Sequence, residues 1–172
     1  MLGLPGGAYI YQGEELGLPE HTTLDHQYRQ DPTYFRTAGE RVGRDGCRVP
    51  IPWEHDKKNF GFGDADSPWL PQPDVFEEYA RDVQEGVRGS TLELYKKLLR
   101  LRKQYKLGEG QLHWLEPLCS DGSLAFENNG VLVISNMGEP INLPSGEILV
   151  STQQGLEAGG QLETDQSAWI RL

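Results

Sequence analysis

Apolar positions along the chain follow three regimes. Between residues 90 and 106 they recur with helical spacing: Leu94, Leu98, Leu101 and Tyr105 fall at i, i+4, i+7 and i+11, one stripe of an amphipathic helix. Lys96, Lys97, Arg100 and Lys103 occupy the other faces, and Arg102 and Lys106 lie near the end where the helix dipole favours cations. Ser90-Thr-Leu-Glu93 reads as a capping box at the start, and Gly108 as the stop. A weaker helical pattern runs from Asp74 to Val87 through Phe76, Tyr79, Ala80 and Val83. From residue 109 onward the period shortens. Leu112-His-Trp-Leu115, Ser123-Leu-Ala-Phe126, Val131-Leu-Val-Ile134, Glu147-Ile-Leu-Val150 and Ala168-Trp-Ile-Arg-Leu172 read as short strands separated by Gly, Asn and Pro turns. Asn128-Asn-Gly130 predicts a tight hairpin, because a type I′ turn wants positive φ at its centre. These runs predict a small antiparallel sandwich.

Residues 1–73 show little periodicity. Ala8-Tyr-Ile-Tyr11 is a short β-prone run, and many turn signals come after it, such as Asp31-Pro32, Asp45-Gly46 and Pro50-Ile-Pro52. So long a stretch of loop is usually functional or supported by other elements. Its packing partners are therefore expected beyond this chain. The apolar, Gly-punctuated opening Met1-Leu-Gly-Leu-Pro-Gly-Gly reads as a start inside a larger unit.

Composition narrows the function classes. The 172 residues carry 16 Lys and Arg against 26 Asp and Glu, a net charge of −10. This argues against a grip on nucleic acid or on an anionic membrane surface. Gly 21 and Pro 11 commit much of the chain to turns and exclude a coiled coil. No apolar run is long enough to span a bilayer, and the start lacks the basic and apolar regions of a signal peptide, so a cytoplasmic protein is expected. Two cysteines, Cys47 and Cys119, make neither a disulfide framework nor a four-ligand zinc site. The four histidines have no metal-ligand spacing, and no phosphate-binding glycine motif occurs. No metal or cofactor is expected.

Two constellations offer chemistry. Glu14-Glu15 is a carboxylate pair, but neighbours in extended chain point to opposite faces, so it cannot serve as a catalytic dyad. Gly43-Arg-Asp-Gly-Cys-Arg-Val-Pro-Ile-Pro-Trp53 places Arg44, Asp45 and Arg48 before a stiff stretch and an indole. Arginine presents a planar fork of donors suited to carboxylates or vicinal hydroxyls. Trp53, Phe60, Phe62 and Trp69 could stack on sugar faces, and an ordered loop with locally paired arginines is the alternative.

Longer strings of the chain resemble a known family. Leu4-Pro-Gly-Gly-Ala-Tyr-Ile-Tyr-Gln-Gly-Glu-Glu-Leu-Gly17 is similar to the eighth-strand motif of α-glucosidases in the α-amylase family (glycoside hydrolase family 13). Gln30-Asp-Pro32, the segment from Gly43 to Trp53, Phe60-Gly-Phe62 and Pro68-Trp-Leu-Pro71 resemble the segment after that strand in the oligo-1,6-glucosidase and maltase group. The resemblance covers essentially the whole chain. It implies an α+β fold: the last strand and helix of a (β/α)₈ TIM barrel with its rim loops over residues 1–108, then a β-sandwich domain over 109–172. It implies α-1,4 and α-1,6-glucosides of short oligosaccharides as substrates. The nucleophilic Asp, the acid/base Glu and a further Asp have no counterpart here, so no catalytic residue is assigned and the chain alone is expected to be inactive. The missing part of the barrel is the expected covalent or structural partner. Arg48 matches the arginine that holds the nonreducing glucose, with Arg44 and Asp45 shaping the same rim, and the carboxylate facing Arg48 is expected from outside the chain. A family transglycosylase or isomerase such as a trehalose synthase is one alternative. A stand-alone carbohydrate-binding sandwich, recognisable by a flat aromatic platform, is another.

Overall fold

The computed structural model describes residues 1–172. Packing divides them into two compact units, Met1–Tyr9 with Leu94–Leu172, and Ile10–Glu93. No helix is long and apolar enough to cross a membrane.

The first unit is built on a five-stranded antiparallel sheet. Its strands are β1 (His113–Trp114), β2 (Ser123–Asn128), β3 (Val131–Asn136), β5 (Glu147–Ser151) and β7 (Gln166–Arg171), in the order β1-β2-β3-β7-β5. A separate two-stranded ribbon pairs β4 (Ile141–Asn142) with β6 (Gln161–Leu162). The hairpin predicted at Asn128-Asn-Gly130 forms, with Asn128 opposite Val131 and with φ of 49° at Asn129 and 76° at Gly130. β3 is apolar at four consecutive positions because both of its faces are covered. Val131 and Val133 point with Phe126, Val150 and Trp169 toward Leu101, Leu107 and Leu2. Leu132 and Ile134 point with Ala125, Ala168 and Ile170 toward Leu143 and Leu162. A bulge between Ile148 and Val150 breaks the alternation in β5. The extra residue lets Leu149 and Val150 share one face while Ile148 serves the other.

The predicted amphipathic helix is α4, Thr91–Gln104, and its stripe packs as expected: Leu101 is buried, with Leu94, Leu98 and Tyr105 beside it. Its end differs from the expectation. Lys106, at φ 52°, takes the left-handed conformation before Gly108 is reached. The Arg102 guanidinium is also more than a dipole partner, because it donates to the carbonyls of Leu2, Leu4 and Gly6. Gly6 N–H in turn donates to the Gly108 carbonyl at 2.9 Å, and Asn128 Nδ2 to the Gly3 carbonyl at 2.8 Å. These bonds anchor the first residues of the chain.

Residues 8–11, read from the sequence as a barrel strand, form no strand here. A strand needs a neighbour for its N–H and C=O groups, and none lies beside this one; Tyr9 is 88% exposed.

The second unit is mostly loops and single turns around a small cluster of Leu24, Val49, Leu70 and Phe76. It contains α1 (Pro32–Arg36), α2 (Phe76–Tyr79) and α3 (Arg81–Gln84). The single helix expected over 74–87 is thus two short ones, broken at the fully buried Ala80, whose ψ of 146° leaves the helical region. Gln84 organises the approach to α4. Its Nε2 donates to the Leu16 and Tyr79 carbonyls at 2.9 and 3.0 Å, and its Oε1 accepts from Leu92 N–H at 3.1 Å. The capping box at α4 is half realised: Ser90 Oγ accepts from Glu93 N–H at 3.3 Å, but Glu93 Oε1 accepts from Gly86 N–H instead of reaching back to Ser90.

Candidate functional site

The Arg-Asp-Gly-Cys-Arg string folds as a single tight turn, Asp45–Arg48, in the second unit. Asp45 is buried and faces inward. Its Oδ2 accepts from Gln30 N–H and Asp31 N–H, both at 2.8 Å, and its Oδ1 lies 3.5 Å from the Arg48 guanidinium. Asp31 is buried beside it and caps α1: Oδ1 accepts from Thr33 N–H at 2.9 Å, and Oδ2 from Arg44 N–H at 3.1 Å. The same Oδ2 lies 3.5 Å from Arg44 Nε and 3.8 Å from the Arg48 guanidinium. The chain thus places two carboxylates of its own at 3.8 and 3.5 Å from the Arg48 guanidinium.

Close packing fixes this arrangement. At Gly43, φ is 72° and a Cβ would sit 2.6 Å from Asp31 Cβ; at Gly46 it would sit 2.5 Å from the His21 carbonyl oxygen. Neither position can take a side chain without moving the backbone. Arg29, which no sequence pattern singles out, is buried nearby. It donates to the carbonyls of Leu24, Val42 and Thr22 at 3.0, 2.9 and 2.8 Å, and stacks over the Tyr34 ring. No motif marks that role, since it lies in backbone carbonyls that only the folded loop brings together.

The result is polarised. The acids are inside and occupied, while the Arg44 and Arg48 side chains remain 77% and 42% exposed. Arg48 lies over the two acids through long contacts of 3.5 and 3.8 Å, and its guanidinium remains partly open to solvent. Trp53, Phe62 and Trp69 are exposed in the same unit, whereas Phe60 packs against its core cluster. Glu14 and Glu15 lie in a single 3-10 turn rather than in extended chain, and Glu15 Oε2 is occupied by the Gly13 N–H at 3.0 Å. In the β region Trp169 is buried and Trp114 is exposed, which leaves one indole rather than a flat platform.

Asp31 carries a testable signature. Hydrogen bonds from Thr33, then from Arg44, outweigh burial and hold its carboxyl down at about 2. A depressed carboxylate stabilises the fold above its ordinary value near 4, and that contribution is lost as pH falls through the lowered value. The Thr33 and Arg44 amide resonances are therefore expected to shift with a midpoint near pH 2, and not to titrate in Asp31→Asn. A midpoint near 4 would contradict the geometry.

Residues 1–110 match the family described as Alpha amylase, catalytic domain. A probable alpha-glucosidase of Rhizobium meliloti (strain 1021) is 37% identical over 145 residues, covering 81% of this chain and 25% of that protein. The oligo-1,6-glucosidase of Parageobacillus thermoglucosidasius is 31% identical over 193 residues, covering 98% of this chain and 34% of its own length. Among solved structures, the trehalose-6-phosphate hydrolase of Bacillus licheniformis superposes with a TM-score of 0.76 at 26% identity, over 98% of this chain and 36% of that one. Isomaltulose synthase from Klebsiella sp. LX3 shares the fold, with a TM-score of 0.79 at 23% identity over 99% of this chain and 36% of its own. The chain thus spans between 25% and 36% of the length of these relatives.

Proposed function

Because the chain belongs to the α-amylase family of glycoside hydrolases, we propose that it forms the C-terminal part of a retaining α-glucosidase acting on α-1,4 and α-1,6 bonds of short oligosaccharides. In this reading residues 1–108 close a (β/α)₈ barrel and residues 109–172 form the C-terminal β domain. The observation that carries it is the polarised Arg48 turn: a half-exposed guanidinium backed by two buried, hydrogen-bonded carboxylates. Such a group suits a neutral, hydroxyl-rich ligand, because its charge is balanced by two acids while the side chain stays partly exposed.

The division of labour comes from the chemistry. Retention needs two carboxyl groups about 5 Å apart across the scissile bond, one attacking the anomeric carbon and one serving as acid and then base. Asp31 and Asp45 cannot take these parts, since both are buried and their oxygens are occupied by backbone N–H groups and by the Arg48 side chain. The reacting carboxylates belong to the rest of the barrel. Arg48 orients the nonreducing glucose, and Arg44 lines the rim.

The purified 172-residue chain is expected to release no p-nitrophenol from p-nitrophenyl α-glucoside above a buffer blank. Joined behind the barrel portion of the Parageobacillus relative, it is expected to restore turnover. Arg48→Ala in that chimera is expected to lower kcat/KM by about 10- to 100-fold, the worth of a charged hydrogen bond to substrate. Turnover by the chain alone overturns the placement of catalysis elsewhere; an undiminished Arg48→Ala chimera overturns the role of Arg48.

A further inference from the structure

His55 and Asp82 are 27 residues apart in sequence, and neither belongs to the Arg48 turn. Residues 53–60 close on themselves: Trp53 N–H and Glu54 N–H both donate to the Phe60 carbonyl, at 2.8 and 3.0 Å, and Phe60 N–H donates to the Lys57 carbonyl at 2.9 Å. The turn passes through Asn59 and Phe60 at φ 51° and 47°, left-handed conformations that non-glycine residues keep only when their surroundings enforce them. Two backbone bonds tie the base of this loop to α3, from Arg81 N–H to the Pro52 carbonyl at 3.1 Å and from Asp82 N–H to the Trp53 carbonyl at 3.2 Å. The Asp82 carboxylate then receives both donors of His55, the backbone N–H on Oδ1 at 3.1 Å and the ring Nδ1 on Oδ2 at 2.8 Å.

We propose that His55 and Asp82 form a proton-strengthened latch that pins the loop carrying Trp53 against α3. The leading charges on the imidazole are acidic: Asp82 on α3, Asp56 in the loop itself and Glu77 on α2, with Lys57 and Lys58 of the loop and Arg81 of α3 as the neighbouring cations in sequence. The hydrogen bond to Asp82 holds the His55 ring above its ordinary value, against a smaller opposing effect of burial, and the three carboxylates add to it. Linkage gives the sign. A histidine raised in the docked state strengthens docking fully below its ordinary value of about 6.5, and the gain is lost as pH rises through the raised value. Each unit of that rise weights the docked loop about tenfold on protonation. Because Trp53 is 43% exposed at the root of the loop, the latch sets how firmly that indole is presented. The latch stands independently of the glycosidase reading, since its readouts are titration and exchange rather than turnover.

The test uses the full chain. The His55 ring signals, assigned by their loss in His55→Gln, are tracked by NMR from about pH 5 to 9, on either side of the ordinary histidine value, together with amide exchange at Trp53, His55 and Phe60. The expected results are a His55 midpoint above about 6.5 that falls toward it in Asp82→Asn, and loop protection that drops several-fold as pH rises through that midpoint. In His55→Gln the loop protection is expected to lose its pH dependence, a readout that holds even if Asp82→Asn proves poorly folded. An unchanged His55 midpoint in folded Asp82→Asn overturns the latch, as does loop protection that is pH-independent in the parent chain or still pH-dependent in His55→Gln.

Discussion

Asp45→Ala is expected to lower the stability of the Ile10–Glu93 unit by about 3–5 kcal/mol, because two hydrogen bonds to one charged acceptor are lost together. The loss has a structural source. Oδ2 of Asp45 holds the N–H groups of Gln30 and Asp31 at 2.8 Å each, and Asp31 is itself buried. A hydrogen bond to a charged group contributes roughly 1.5–3 kcal/mol, and a buried N–H left without a partner costs its desolvation. Alanine removes the acceptor for both N–H groups at once. It also removes one of the two carboxylates behind Arg48, so the guanidinium would lose its orientation as well. Asp45→Asn separates these effects. The amide oxygen can still accept from Gln30 and Asp31, while the amide NH₂ faces Arg48, donor to donor. The asparagine variant is expected to cost less than half as much as the alanine variant while still loosening Arg48. Urea unfolding, with exchange at the Gln30 and Asp31 amides, reads both. Equal losses below about 1 kcal/mol in the two variants, less than a single charged hydrogen bond is worth, would show that Asp45 is not the keystone of the turn.

Parts of this architecture were legible because local chemistry alone dictates them. The Asn-Asn-Gly hairpin forms because its central residues must adopt positive φ, whatever surrounds them. The stripe on α4 packs because burial of Leu94, Leu98 and Leu101 fixes the helix face. The elements that escaped depend on partners far off in the chain. The run at residues 8–11 is β-prone, but a strand is a property of a pair, and no second strand lies beside it. β4 and β6 are two residues each, too short for a period to show. The capping box forms only in half because the Ser90 N–H is taken by the Val87 carbonyl and the Glu93 carboxylate by the Gly86 N–H. The candidate site shows the same divide. The string Arg-Asp-Gly-Cys-Arg announced a loop with donors, yet spacing could not tell that Asp45 turns inward to Gln30 and Asp31 while Arg44 stays in solvent. In the sequence Asp31 marks a turn with Pro32 and belongs to Gln-Asp-Pro, and its role as cap of α1 and as partner of both arginines emerges from the fold alone.

Trp169→Ala is expected to cost about 3–5 kcal/mol, the span found for removing a large buried aromatic from a core. Trp169 lies in β7 between Val133 of β3 and Val150 of β5, and is buried with Leu2, Leu101, Leu107 and Phe126. Two features keep the vacated space from collapsing. The indole is flanked by strands whose register is fixed on both sides, and it already lines a cleft of about 270 Å³ with Leu94, Leu98 and Val133. The cavity therefore enlarges rather than closes, which adds to the lost transfer energy. Against the roughly 5–15 kcal/mol that holds a typical domain, such a loss leaves the Met1–Tyr9 and Leu94–Leu172 unit near its folding threshold. Trp114 is the control, because it has the same side chain on the same sheet with the opposite environment. It is 57% exposed on the two-residue edge strand β1, touching Phe126 edge-on with ring centroids 5.9 Å apart. An edge-to-face pair contributes about 0.5–1.5 kcal/mol, so Trp114→Ala is expected to stay within that range. Urea denaturation of both variants, monitored by circular dichroism, decides between the two environments: similar midpoints would mean that the β-sheet core is not centred on Trp169.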